Sequence, residues 1–381
     1  MTSRDETVAL DVPHVAAPGG RRWRFACSVL FLLASVPGVG SLSAPAGEVA
    51  GDTPADRQVV FPGRLWTDSA GKPINAHGGC VIFHEGLYYW FGTHKIEGLS
   101  EDTDADGGVH AYASRDLVTW HDQGVVLPLD GAAHEDLTPG CIFDRPKVVY
   151  NENTGLFVLF FKFYPRGSGT RVGFVGVATC PSPSGPFVYR HKFLGGMSPE
   201  GTGDFAMFKD DDGALYHLAV RKPDKAFVVG RMRDDYLLPE GRYREAEGIT
   251  RATEAPAIFR RRGRYWMLAS GSTGWKPNAA RTFSAASLFG PWTAHGNPCE
   301  GTNPHNGLGA DLTFGGQSAS IVTVAGLDGA HIAFFDVNKP EHPYESRYVW
   351  LPISAEERGL RIAWRDEWSL DVFDHVAREA E

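Results

Sequence analysis

Five short stretches of this chain each set a polar residue ahead of an apolar strand. Glu254 opens EAPAIF, Asp204 lies in GTGDFAMF, Asp144 in CIFDRPKVVYN, Asn75 and His77 in NAHGGCVIF, and Gln317 in TFGGQSASIV. Any one of them reads equally well as an ordinary solvated strand start, since polar residues begin strands in every β protein. Five at corresponding positions point to a shared destination. Carboxylates gathered there could break an acetal. One carboxylic acid protonates the leaving oxygen as positive charge grows on the sugar ring, and a second group activates water or attacks the anomeric carbon. The donor must hold its proton near neutral pH, which burial or a like-charged neighbour provides. Glu254 close to Asp204 or Asp144 would meet that condition. The acids at Asp210–Asp212 and Asp234–Asp235 read instead as turns.

Bringing residues so far apart in sequence to one place is the task of the elements between them. From about residue 51 onward the chain alternates short apolar or period-two runs with turn residues and shows almost no 3.6-residue pattern, so an all-β fold is expected. A looser repeat overlies this pattern: EGLYYWFG, NTGLFVLFF, DDGALYHLAV, RRGRYWMLAS and LDGAHIAFF, each a Gly turn followed by an aromatic or aliphatic strand. The turn glycines Gly86, Gly155, Gly213, Gly263 and Gly329 fall roughly 50 to 70 residues apart. Such a unit holds about four strands, and a four-stranded twisted sheet buries both faces only when neighbours stack on it. The reading is a single five-bladed β-propeller over residues 51–381, with a β-sandwich or two small β domains as the alternative. Innermost strands of a propeller converge on one axis, so the polar residues of the five stretches would meet in a central funnel.

Composition narrows the ligand. Of 381 residues, 43% are hydrophobic and 12% aromatic, enough for a substantial core. A net charge of −9 argues against a nucleic acid or an anionic membrane as partner and favours a neutral substrate. Arg21, Arg22 and Arg24 precede the apolar run Ala26 to Val39 and the small-residue segment Ala44-Pro45-Ala46, the order of a secretory leader, so residues 1–50 are expected to be removed or unstructured. The Arg pair suggests an imperfect twin-arginine signal, and an uncleaved anchor is the competing reading, although the run is short of the ~20 residues a span needs. The mature chain is then exported, periplasmic or extracellular, and expected to act as a monomer. Cys80, Cys141, Cys180 and Cys299 are widely spaced without C-x-x-C, which gives no zinc signature and leaves disulfides open but unassignable. No metal-ligand set is visible in the sequence, and no cofactor is expected.

The segments LWTDSAGKPINAHGGCVIFHEGLYYWFG, FDRPKVVYNENTGLFVLFFK, GDFAMFKDDDG, EAPAIFRRRGRYWMLASGSTGW, TFGGQSASIV and SRYVWLPI together resemble glycoside hydrolase family 43, whose members are five-bladed propellers. Among its branches they are most similar to the exo-β-1,3-galactanases (galactan 1,3-β-galactosidases), from about Phe61 to Ile353. The resemblance implies that Glu254 is the general acid, that Asp204 tunes and orients it, and that Asp144 contacts the sugar. It further implies that Gln317 helps position the water, with an imidic-acid base as one form of that role, because the first-blade Asp that serves as base in much of the family is replaced here by NAHGG. The chain departs from the branch at Thr93, where an acidic residue is usual, at Asp144, where Glu is usual, and at Val337-Asn338, where Arg-Trp is expected after Asp336.

Trp90, Trp275 and Tyr344 are candidates for a sugar platform, with Asn278, His77 and Asn75 as polar partners; Trp90 reads equally as a core strand residue. The expected activity is removal of terminal sugars from a plant or microbial polysaccharide, β-1,3-galactan foremost, with inversion. An arabinofuranosidase, xylosidase or galactofuranosidase of the same family, or a carbohydrate-binding propeller without catalysis, are the alternatives.

Overall fold

The structure, a computed structural model, describes residues 58–100, 104–132, 134–274, 276–356 and 359–374. The leader, the Arg motif and Cys27 lie outside the described residues, as does Trp275. Each repeat of the sequence becomes one antiparallel sheet, with its strands in chain order from the axis outward. Blades 1 to 4 have four strands each and begin with the inner strands His77–His84, Ile142–Asn151, Thr202–Lys209 and Thr253–Arg261. Blade 5 has three, Gln317–Thr323, His331–Val337 and Arg347–Pro352, and a small sheet made by Cys299–Glu300, Gly359–Ala363 and Ser354–Glu356 packs beside it. The inner strands touch one another in the cyclic order 1-2-3-4-5-1, which closes a five-bladed propeller.

The aromatic strands form these sheets because both faces of every blade are covered. Five hydrophobic clusters fill the five gaps between neighbouring blades, one to each interface. The cluster between blades 5 and 1 also carries the closure of the ring. Val60 and Trp368 exchange backbone hydrogen bonds of 2.8 and 3.1 Å, and Tyr348 of blade 5 donates its hydroxyl to the Ile74 carbonyl while accepting from the Ala76 amide, both at 3.0 Å.

Trp90 belongs to that closure and cannot serve as a sugar platform. Its indole is 0% exposed, packs at 4.6–5.4 Å against Trp120, Phe334, Tyr348 and Trp350, and donates to the Ala76 carbonyl. The alternation of blade 1's second strand turns this residue to the interface rather than to the channel. Trp90→Ala should therefore lower folding stability by about 3–5 kcal/mol, read as a drop in the denaturation midpoint. A midpoint within about 1 kcal/mol of the parent would show that the seam does not depend on it.

Cys80, Cys141, Cys180 and Cys299 are all buried free thiols, so no disulfide joins them. Burial pushes the Cys141 and Cys299 thiols up to about 12, which keeps them protonated and unreactive.

Candidate active site

At the channel end of blades 1, 2 and 4 the inner strand breaks register beside its polar residue, between His77 and Cys80, Asp144 and Lys147, and Glu254 and Ala257. The residue after the polar one has positive φ in each: Gly78 at 59°, Arg145 at 54° and Ala255 at 53°. An extra residue here bends the strand and turns the preceding side chain toward the axis. Gly78 suits the bend without strain, whereas Arg145 and Ala255 hold left-handed backbone that L-residues disfavour, a cost typical of functional positions. Lys147 ties two of the bends together, its ammonium donating to the Gly78, Gly79, Arg145 and Pro146 carbonyls at 3.1–3.4 Å.

Glu254, Asp204, Asp144 and Gln317 all line one cavity of about 590 Å³, as the sequence reading expects. Two cations join them. Lys162 reaches Asp144 and Asp204, each at 2.8 Å, and Arg145 reaches Asp204 at 3.0 Å while donating to the Ser318 carbonyl at 3.0 Å and to Oε1 of Gln317. Arginine only donates, so the Gln317 atom facing it must be the oxygen. Gln317 Nε2 in turn donates to Glu254 Oε1 at 3.1 Å and to Ser270 Oγ at 2.8 Å. Both ends of the amide are thereby fixed. The guanidinium against Oε1 also disfavours a proton on that oxygen, so the amide form fits this setting and the imidic-acid form does not.

The carboxyls separate into two kinds. Burial alone would raise all of them, but Asp144 falls well below the usual range because Lys162 and then Arg145 outweigh it, and Asp204 is lowered by Arg145 and then Lys162. Among the described residues, no cation is in direct contact with Glu254. Burial raises its pKa, the Asp204 charge raises it further, and hydrogen bonds from Ser272 and Gln317 with the more distant Arg145 offset this only in part. A carboxyl of raised pKa beside one of lowered pKa is an arrangement suited to donating a proton.

This coupling makes a pH prediction. Asp204→Asn removes an anion that favours protonated Glu254 and leaves Arg145 and Lys162 with less negative charge to balance. Both changes lower the Glu254 pKa, so the alkaline limb of the pH–rate profile should move to lower pH, and activity at neutral pH should fall. An unmoved limb in kcat/KM would exclude the coupling.

The other expected contacts are only partly in place. Asn75 and His77 do not line the cavity. Asn75 uses its amide to hold the Lys95 backbone, at 2.8 Å in both directions, and to meet His94, so it supports the wall instead of reading a sugar. His77 is 3% exposed, stacks on Tyr348 and approaches Asp336 at 3.6 Å, which makes it a support inside the channel rather than a substrate contact. Asn278 pins its own loop, accepting from the Gly271 amide at 2.8 Å and donating to the Gly271 carbonyl and Thr273. It borders a small recess that shares Gly274 and Gln317 with the cavity. Tyr344 is half-buried and lines neither space. The sequence reading missed Arg145, Lys162, Ser270 and Ser272. Arg145 had a signal in its position directly after Asp144, but the other three sit on second strands or loops that no spacing links to the inner ones.

A family model described as Glycosyl hydrolases family 43 matches residues 79–326. Among solved structures, the chain is 33% identical to a family 43 β-1,3-galactosidase with galactodeoxynojirimycin, covering 82% of this chain and 100% of that one with a TM-score of 0.72. It is also 33% identical to a second family 43 β-1,3-galactosidase, covering 85% of this chain and 66% of that one with a TM-score of 0.74. An exo-β-1,3-galactanase from Phanerochaete chrysosporium with β-1,3-galactotriose is 28% identical over 82% of this chain and 68% of its own, with a TM-score of 0.70. No curated protein matches the chain. A propeller whose funnel sets a carboxyl of raised pKa, Glu254, beside the lowered Asp204, and which that family model matches over most of its length, belongs to glycosyl hydrolases family 43 and is a glycoside hydrolase.

Proposed function

We propose that this hydrolase is exported and removes terminal galactose from β-1,3-galactan by single displacement, inverting the anomeric carbon. Glu254 is the general acid of this reaction, Asp204 sustains its protonated form, Asp144 with Lys162 meets sugar hydroxyls, and Gln317 orients the reacting groups. One observation carries the reading: Glu254 is a buried carboxyl with a raised pKa, open to a cavity and bordered by the ionised Asp204. The choice of sugar is supported by the similar solved structures, which are described as β-1,3-galactosidases and exo-β-1,3-galactanases. The leader-like residues 1–50 support export, and the protein is expected to act as a monomer.

The test is sugar release by purified residues 47–381 from β-1,3-galactan, arabinogalactan, arabinan and xylan, with the anomer of the first product followed by NMR. Galactose appearing first as the α-anomer supports the proposal. Arabinose or xylose in its place would overturn the substrate, and β-galactose appearing first would overturn inversion.

A further inference from the structure

Although the chain as a whole carries a net charge of −9, the wall of the cavity that holds Glu254 has more basic side chains than acidic ones. Most of them are already matched. Asp106 holds Lys95 at 2.7 Å, Asp144 and Asp204 hold Lys162 and Arg145, and Glu200 holds Arg171 at 3.1 Å. Glu254, whose pKa is raised, serves as an acid and not as a counter-ion. The positive surplus falls on one turn.

That turn joins the blade 3 strands Leu215–Arg221 and Phe227–Met232. Arg221 stands opposite Thr202 in the register, so the turn rises at the channel end of the blade, beside Asp204. It sets Arg221, Lys222 and Lys225 on the cavity wall. Asp224, the turn's own carboxylate, is taken by Arg221 at 2.6 Å and by Arg251 at 3.0 Å. Among the described residues Lys222 and Lys225 have only uncharged hydrogen-bond partners. Lys222 donates to the Tyr164 hydroxyl at 2.8 Å and to the Thr170 carbonyl, and Lys225 donates to Ser272 Oγ at 3.4 Å. Lys222 is half-buried, and burial with the neighbouring Lys162 lowers its pKa to about 8, more than Asp204 and Glu200 offset. An anion supplied by the substrate would reverse that balance.

The position of the two lysines selects the part of the substrate they meet. Asp144 and Lys162, with side chains 16% and 14% exposed, form the buried end of the cavity, which suits the terminal sugar, whereas Lys225 is exposed at its mouth. An acid catalyst touches the leaving oxygen. Ser272 hydrogen-bonds Glu254 and also meets Lys225, so one hydroxyl separates the acid from the turn.

We propose that Lys222 and Lys225 bind an anionic group, a carboxylate or a sulfate ester, on the leaving part of the galactan, so that the polymer cleaved by this enzyme is an acidic one. The assignment rests on the galactan reading given above and names its substrate class. Lysine suits the task because a compact charge on a flexible stem accepts a planar carboxylate or a tetrahedral sulfate alike.

The experiment measures kcat/KM on β-1,3-galactobiose, unsubstituted or carrying at O6 of its reducing-end galactose a glucuronate, a sulfate or, as the neutral twin of the glucuronate, a glucose. The parent should prefer at least one acidic substrate over the neutral twin by about tenfold, and the preference should fade as ionic strength rises from about 0.01 to 1 M. Preference for one anion alone identifies it as the uronate or the sulfate. Lys222→Met combined with Lys225→Met should abolish the preference. If that variant does not fold, Lys225→Gln, on the exposed part of the turn, should lose part of it. A preference that survives in the variant, equal rates on all substrates, or release from the neutral ones only would overturn the anion site and leave the galactan reading standing. Release of galactose from none of the four would overturn that reading and the anion site with it.

Discussion

Glu254→Gln should reduce turnover of a galactan chain by about 10²–10⁴-fold, roughly 3–5 kcal/mol of transition-state stabilisation, while binding of galactodeoxynojirimycin changes little. The substitution keeps the shape and the acceptor that Gln317 Nε2 uses at 3.1 Å, and removes only the transferable proton. The loss should depend on the leaving group. A poor one such as another sugar needs protonation as it departs, whereas a dinitrophenolate is stable without it, so the deficit on a dinitrophenyl galactoside should shrink to a small factor. The alkaline limb of the parent's pH profile should vanish in the variant, because that limb reports loss of the Glu254 proton. Equal losses on both kinds of substrate would indicate a damaged pocket rather than a missing acid, and parent-like turnover of the polymer would remove Glu254 from the mechanism.

Arg145→Met should destabilise the fold about as much as loss of the Trp90 indole. One guanidinium joins Asp204, the Ser318 carbonyl and Gln317, and so ties blades 2, 3 and 5 together at the axis. Its loss leaves the Asp204 carboxylate buried with Lys162 as its remaining cation, and leaves two acceptors unpaired. Removing one partner of a buried ion pair costs about 3–5 kcal/mol, so the urea midpoint should fall accordingly. Arg145→Lys should recover little of this, since a single ammonium lacks the planar fork that reaches three acceptors at once. A Lys variant as stable as the parent would mean that charge alone, and not geometry, holds the site.

The fold was legible because its signal repeats. Five aromatic strands behind five glycine turns leave few architectures that bury them all, and each became a blade. Four of the expected site residues were also legible, since Glu254, Asp204, Asp144 and Gln317 occupy equivalent strand starts and meet in one cavity. Equivalence of position could not show which way a neighbouring side chain points. Asn75 and His77 share the pattern, yet Asn75 holds the blade's own backbone and His77 stacks on Tyr348 of blade 5. Trp90 has the composition of a sugar platform, but only packing decides between a platform and a core. Arg145 and Lys162 escaped notice because a cation that holds carboxylates in place is recognised by contact, not by spacing.

The closure of that ring has a consequence for how the molecule is made. Val60 pairs with Trp368, and Tyr348 reaches back to Ile74 and Ala76, so the seam joins segments from opposite ends of the chain. Blades 1 to 4 can assemble as each is synthesised, but blade 1 keeps its Trp90 face uncovered until blade 5 arrives. The contact with the longest chain between its partners bears the largest loop-closure entropy and forms last. A ribosome-bound chain is therefore an open arc with an apolar edge at each end, the state most prone to pairing with a second copy, and release of the final strand is the event that ends that exposure.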